Sequence, residues 1–404
     1  MGTGKNPVLV IFVLQGVIFG SWVPRVPVVA EHVHADAGVL GLALLGGSVG
    51  LIAAASIAGR LCARFGARRM VLIAALAASA ELPLLALAPT TLVLGLTMFL
   101  VGASVGTLDV AMNIAAVTVV RRTERPLMPV FHAGFSFGGL FGALGAAVAA
   151  AQGWGIVAHF GVVSTLAILV TLAVAPSVPN EPVLAEKGAG RRQAGTSLAR
   201  RPVLWLLGAV VFSSAVAEGA SAEWSALFAV RDRGFGEARA AIVYAAFSIA
   251  MAVTRLLGER AERRWGPDRL LVGGAVAAGG GLLVAVLVPA GWATYLGFVL
   301  AGAGLAYSFP VALGLAGMVG RRPDGSGGER ELSFVTAIAY GGFLLGPPMI
   351  GGIAQLSNLA VALGVAGVIA SMIAPAALAA ARARRRAEQV APEAPVRTAS
   401  VSGP

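Results

Sequence analysis

Three carboxylates stand where carboxylates are costly. Glu81, Asp109 and Glu218 each fall within a long apolar stretch, and Gln15, Asn113 and His132 are polar companions in others. An ionisable group at the centre of a membrane helix costs about 2.5–3.5 kcal/mol on insertion scales, so each calls for a use. Gly102, Gly106, Asp109 and Asn113 recur at helical spacing and share one face, small toward one end and polar toward the other. Such a face lines an aqueous cavity or makes a tight helix contact. A carboxyl group that can face two aqueous compartments in turn can load a proton on one side and release it on the other, and that is the chemistry Asp109 and Glu218 suggest. His132, with Ser136 one turn on, adds an imidazole that titrates near neutrality in water, as a relay or as a structural residue.

The elements that would position these groups are twelve apolar stretches, near residues 8–30, 38–58, 70–88, 91–119, 129–151, 155–175, 203–229, 239–257, 270–288, 292–319, 332–353 and 358–380. Each is long enough for a helix of about 20 residues to cross a hydrocarbon core, and far longer than a membrane barrel strand. Composition agrees: 57% of residues are hydrophobic, 12% are charged and the mean hydropathy is +0.85, whereas a globular domain is about 25% charged. Nearly all of the 30 Lys and Arg sit at the N-terminus, in alternate gaps, in the middle segment or in the tail. Only Arg25, Arg231, Arg233 and Arg239 fall elsewhere. Basic short loops stay cytoplasmic, so both termini are expected there, and the net charge of +11 reads as topology and lipid attraction rather than nucleic-acid binding. One cysteine, Cys62, excludes an internal disulfide and a cysteine metal cluster.

The chain divides into a six-helix half over 1–175, a proline- and arginine-containing cytoplasmic linker over 176–202, a second half over 203–380 and a basic tail over 381–404, expected to be disordered beyond its first turn. The halves repeat. A shift of 200 lays Ser48 on Ser248, Arg60 on Arg260, Arg64 on Arg264, Gly66 on Gly266, Arg69 on Arg269 and Gly102 on Gly302; shifts of 202 and 204 lay Trp22 on Trp224 and Gly138 and Gly142 on Gly342 and Gly346. Parallel six-helix repeats with a midplane site between them are a plan of secondary transporters. Asp109 and Asn113 fall on Phe309 and Leu313, so the polar pair is not repeated. That favours a cavity or coupling role over a helix contact, which stays as the alternative.

The segment Gly59-Arg60-Leu-Cys-Ala-Arg64-Phe-Gly66-Ala-Arg68-Arg69 resembles the gate loop of the major facilitator superfamily, except that Ala63 stands where that family has Asp. Its repeat, around Arg264, offers Glu259 and Glu262. The stretches 106–113, 131–139 and 218–225 are similar to a bacterial inner-membrane branch of that family, distantly related to fucose and proton symporters. The resemblance implies a multi-pass inner-membrane carrier in which the first, fourth, seventh and tenth spans line a central cavity. Asp109, Glu218 and His132 would then serve proton coupling, and Gln15, Asn113 and Arg25 solute contact. Arg25, between Pro24 and Pro27, would guard the outer entrance, bind an anionic solute or simply snorkel to the interface. Glu81, in a peripheral span by the same resemblance, is expected to be a packing or pairing residue, and Glu223, followed by Trp224, an interfacial one. Gly138, Gly142, Gly342 and Gly346 are expected to let helices approach closely.

There is no Walker loop and no His-Glu-x-x-His, so an ATP-driven pump, an enzyme, a metal and a cofactor are not expected. The expectation is an all-α transporter, a monomer in the bilayer, moving a small solute with protons. Proton-driven efflux of hydrophobic or toxic compounds and a non-transporting sensor are the alternatives.

Overall fold

The computed structural model describes residues 4–125, 127–179, 198–320 and 328–390. Twelve helices among them are long and apolar enough to cross a membrane: Lys5–His32, Ala37–Phe65, Ala67–Ala86, Thr91–Thr123, Val130–Ala151, Ile156–Ser177, Pro202–Arg231, Glu237–Leu256, Pro267–Leu287, Gly291–Val319, Arg330–Leu356 and Leu359–Arg386. They are called spans one to twelve below, and each coincides with one of the apolar stretches. Most of the middle segment, 180–197, and the last residues, 391–404, lie outside the described residues. The basic segment after Ala381 stays helical through Val390 instead of losing order after one turn. Alanine and arginine are good helix formers, and Arg384 is paired with Asp268 at the start of span nine.

Prolines set the breaks. Pro24 and Pro27 interrupt span one with a 3-10 turn, Val23–Arg25, between Lys5–Trp22 and Val26–His32. Pro310 has no N–H to offer the carbonyl four residues back, Ala306, and span ten breaks there, between Gly291–Leu305 and Ser308–Val319. That carbonyl takes the Arg255 Nε–H instead, at 3.4 Å, while the Tyr307 hydroxyl donates to the Thr254 carbonyl at 2.7 Å. Pro347 likewise leaves the Phe343 carbonyl without its helical donor. Ser48 Oγ of span two donates to it at 2.9 Å, so span eleven runs on through both prolines.

Packing repeats with the sequence. Span one packs on five, two on four, and three on four and six; seven packs on eleven, eight on ten, and nine on ten and twelve. The closest approaches use glycine: a Cβ on Gly138 would stand 2.0 Å from the Val13 carbonyl oxygen. At the equivalent seam Gly342 is tight against Phe212 and Ala215, but Gly346 has room, its nearest neighbour being Val216 Cα at 3.9 Å.

The first six spans meet the last six chiefly through five against eight and two against eleven. Several of these contacts lie at the end of the bundle away from Arg60–Arg69. Pro347 approaches Gly41, the Ala37 carbonyl faces Gly351, the Gly38 N–H donates to Gln355 Oε1 at 3.4 Å, and Arg231 donates to the Ala35 carbonyl at 3.3 Å. The fourth and eleventh spans make no extended contact with each other.

Candidate functional site

Asp109 belongs to the fourth span. It is exposed although it lies near the middle of span four, and Tyr340 of span eleven is within electrostatic range of it from the other half. Its hydrogen-bond partner is Asn113, one turn on, whose Nδ2 donates to the Asp109 carboxylate at 3.3 Å and to its backbone carbonyl at 2.8 Å. The face read from the sequence is divided between two uses. Gly102 and Gly106 are pressed against the Gly47 and Leu51 carbonyls of span two, while Asp109, further along the same face, is free of that contact.

Glu218, on span seven, is paired with Arg255 at the end of span eight, at 3.3 Å and with both side chains partly exposed. The same guanidinium holds the Ala306 carbonyl at the break of span ten, so Arg255 ties three spans together. His132 is exposed on span five, with its ring edge-on to Phe12, and lies within electrostatic range of Arg255. Tyr244, hydrogen-bonded to Ser248, lies within range of Glu218. The site thus has a carboxylate on span four in one half and a matched ion pair on spans seven and eight in the other.

The remaining residues singled out from the sequence are placed as follows. Gln15 is buried, and its Oε1 has no hydrogen-bond partner. Arg25 is 2% exposed and crosses between halves: Nη1 pairs with Glu237 at the start of span eight at 2.6 Å, and Nη2 donates to the Trp154 carbonyl at 3.1 Å. Its burial means that it does not snorkel into the interface. Glu81 accepts from Ser104 on span four at 3.0 Å, a pairing role within the first half. In the gate loop Arg60, Arg64 and Arg69 are exposed, Gly59 faces open space, Gly66 turns the chain with φ 87° and Arg68 donates to the Val178 carbonyl at 2.6 Å. Arg264 is exposed in the repeat.

The interfacial expectation for Glu223 and Trp224 fails. Trp224 is fully buried and its indole N–H has no partner, so it marks no membrane interface, and Glu223 beside it has one carboxylate oxygen buried without a partner. Span seven packs on spans eight, ten, eleven and twelve, and around Trp224 its residues 220–229 are all buried apart from half-buried Glu223. The sequence reading also missed Glu237, Tyr340, Tyr244 and the role of Arg255. Arg255 alone left a trace, as a cation closing an apolar run directly before the repeated gate loop.

The chain matches the sequence profile of the Major Facilitator Superfamily over residues 8–327 and belongs to that family. It is 32% identical over 369 residues to an uncharacterised transporter of this type from Yersinia pestis, covering 91% of this chain and 93% of that one. Among solved structures it is similar to the nucleoside transporter NupG, with a TM-score of 0.77 and 12% identity over 93% of this chain and 99% of that one. It is similar also to the E. coli fucose:proton symporter FucP, with a TM-score of 0.61 and 15% identity over 93% and 98%. Both structures share the fold. The chain is thus a multi-pass membrane protein of a secondary-transporter family.

Proposed function

We propose that this protein carries a small polar solute across the cytoplasmic membrane by alternating access, in symport with a proton held on Asp109. The observation that carries this reading is the Asp109 carboxylate: it lies mid-span, faces the space between the halves and has no cationic partner among the described residues, only Asn113 and the nearby Tyr340. A carboxylate in that setting can be matched by a proton from either compartment as the space changes sides. Glu218 is ranked below it, because Arg255 already supplies its counter-charge.

The arginine-rich end is the cytoplasmic one in this reading, since basic short loops are retained there. The contacts at the other end then close the outer side, and the structure is the inward-facing state. Arg25 with Glu237 belongs to the outer closure, while Asn113, His132 and Tyr340 face the solute. Liposomes loaded with a pH dye test the coupling. Adding the correct solute from a panel of sugars, nucleosides, amino acids and amines should drive proton uptake in the wild type and none in Asp109→Asn. Equal proton uptake by the two proteins would refute the assignment.

A further inference from the structure

The gate loop and its repeat present the same exposed pattern twice, and in the state described here no ion pair among the described residues joins Arg60, Arg64, Arg69, Arg260, Arg264 or Arg269 to the other half. In the first half Arg64 lies over the ring of Phe65, its Cζ 5.2 Å from the ring centroid; in the second, Arg264 lies over Trp265 at 5.9 Å. Both rings are open to the surroundings, 42% and 53% exposed. Arg60 and Arg260 stand one helical turn before the stacked arginines, on the same faces, and Arg69 and Arg269 follow just after the turns at Gly66 and Gly266. Three residues before each leading arginine, toward the apolar part of the chain, are Ile57 and Leu257, each 48% exposed. Apolar residue, arginine, stacked arginine and aromatic ring therefore succeed one another in the same order in both halves, with the two arginines one turn apart on a helix and Leu257 at the break just before it in the second half.

Internal pairing leaves these cations available. The repeat-related position 68/268 is used to tether the end of each half: Arg68 holds the Val178 carbonyl after span six, and Asp268 pairs with Arg384 in the last turn of span twelve. Among the described residues, by contrast, no carboxylate pairs with Arg60, Arg64, Arg69, Arg260, Arg264 or Arg269. A guanidinium stacked on a ring keeps its N–H edge free for a phosphate, aromatic rings favour the headgroup depth, and an apolar side chain below suits an acyl chain.

We infer that these two patches are symmetry-related sites for anionic phospholipid, each taking one phosphodiester headgroup between the stacked arginine and its neighbours, with the acyl chains along Ile57 or Leu257. The occupant is a lipid rather than a free phosphate because the cations lead directly onto exposed apolar helix surface. The inference is independent of the solute and of the coupling ion.

Trp265 is its own reporter. The full chain is placed in phosphatidylcholine nanodiscs containing, at one low mole fraction, either brominated phosphatidylglycerol or brominated phosphatidylcholine, and the Trp265 signal is taken as the difference from Trp265→Phe. The anionic lipid should quench Trp265 about fivefold more strongly, the order expected for one cation near an anionic headgroup. The preference should vanish in Arg260→Gln/Arg264→Gln/Arg269→Gln. Phe65→Trp in the Trp265→Phe background should report the same preference at the first site. All of these residues are exposed, so the variants keep the packed bundle. Equal quenching by the two lipids, a preference that survives the triple substitution, or its loss on adding inorganic phosphate at constant ionic strength would each overturn the assignment.

Discussion

Replacing Glu237 with Gln tests whether the Arg25 contact holds one end of the carrier shut. Arg25 is 2% exposed, and its guanidinium has one carboxylate partner, 2.6 Å away, with the Trp154 carbonyl as its other acceptor. Breaking a fully buried ion pair on one side costs about 3–5 kcal/mol, because the remaining charge is left buried. Glu237 is 46% exposed, so solvent already screens the pair and the cost falls to about 1–2 kcal/mol. The cost falls on the state described here, in which the guanidinium is buried, and is relieved when the halves part and water reaches it. Since about 1.4 kcal/mol is a factor of ten, the ratio of closed to open should drop about tenfold. Spin labels at His32→Cys and Leu356→Cys, both exposed and on opposite halves, read that ratio as a distance distribution, in a Cys62→Ser background. Glu237→Gln should populate a longer distance at the expense of the shorter one. Arg25→Gln should shift it less, because the Glu237 it leaves behind can hydrate. An unchanged distribution in Glu237→Gln would refute the reasoning.

Three further outcomes follow from the same geometry. Gly138→Ala should lower the thermal unfolding midpoint by several degrees, because its Cβ would meet the Val13 carbonyl at 2.0 Å, whereas Gly346→Ala, with 3.9 Å to its nearest neighbour, should leave it unchanged. Ser48→Ala removes the donor to the Phe343 carbonyl that Pro347 leaves free, and should cost about 1 kcal/mol by thermal or denaturant unfolding. Arg255→Gln should destabilise the protein by leaving Glu218 and the Ala306 carbonyl unmatched; adding Glu218→Gln should recover part of that loss, and a double-mutant cycle measures the coupling.

The twelve spans were legible because crossing a bilayer needs a continuous apolar length, which a sequence displays directly. The seams between helices were legible wherever they use glycine, as at Gly138. Asp109 stood out because a mid-span carboxylate is expensive wherever it points. The pairs were hidden: Arg25 meets Glu237 across 212 residues and Arg255 meets Glu218 across 37, and no spacing rule reaches so far. Trp224 was misread for a related reason. Residue type favours an interface for Trp, but only the packing of neighbouring spans shows that span seven is enclosed by protein around Trp224. The prolines lie between these cases, since the missing N–H is visible at Pro310 and Pro347 while the donors that replace it, Arg255 and Ser48, come from distant spans.

The central claim is that Asp109 carries the coupling proton, and one comparison in liposomes addresses it most directly: solute exchange with no gradient against solute accumulation driven by an imposed proton gradient, in wild type and Asp109→Asn. Exchange needs only that the carrier rebinds solute and reorients, while accumulation needs the proton. The account predicts that Asp109→Asn keeps exchange and loses accumulation. Accumulation at the wild-type level in Asp109→Asn would contradict it.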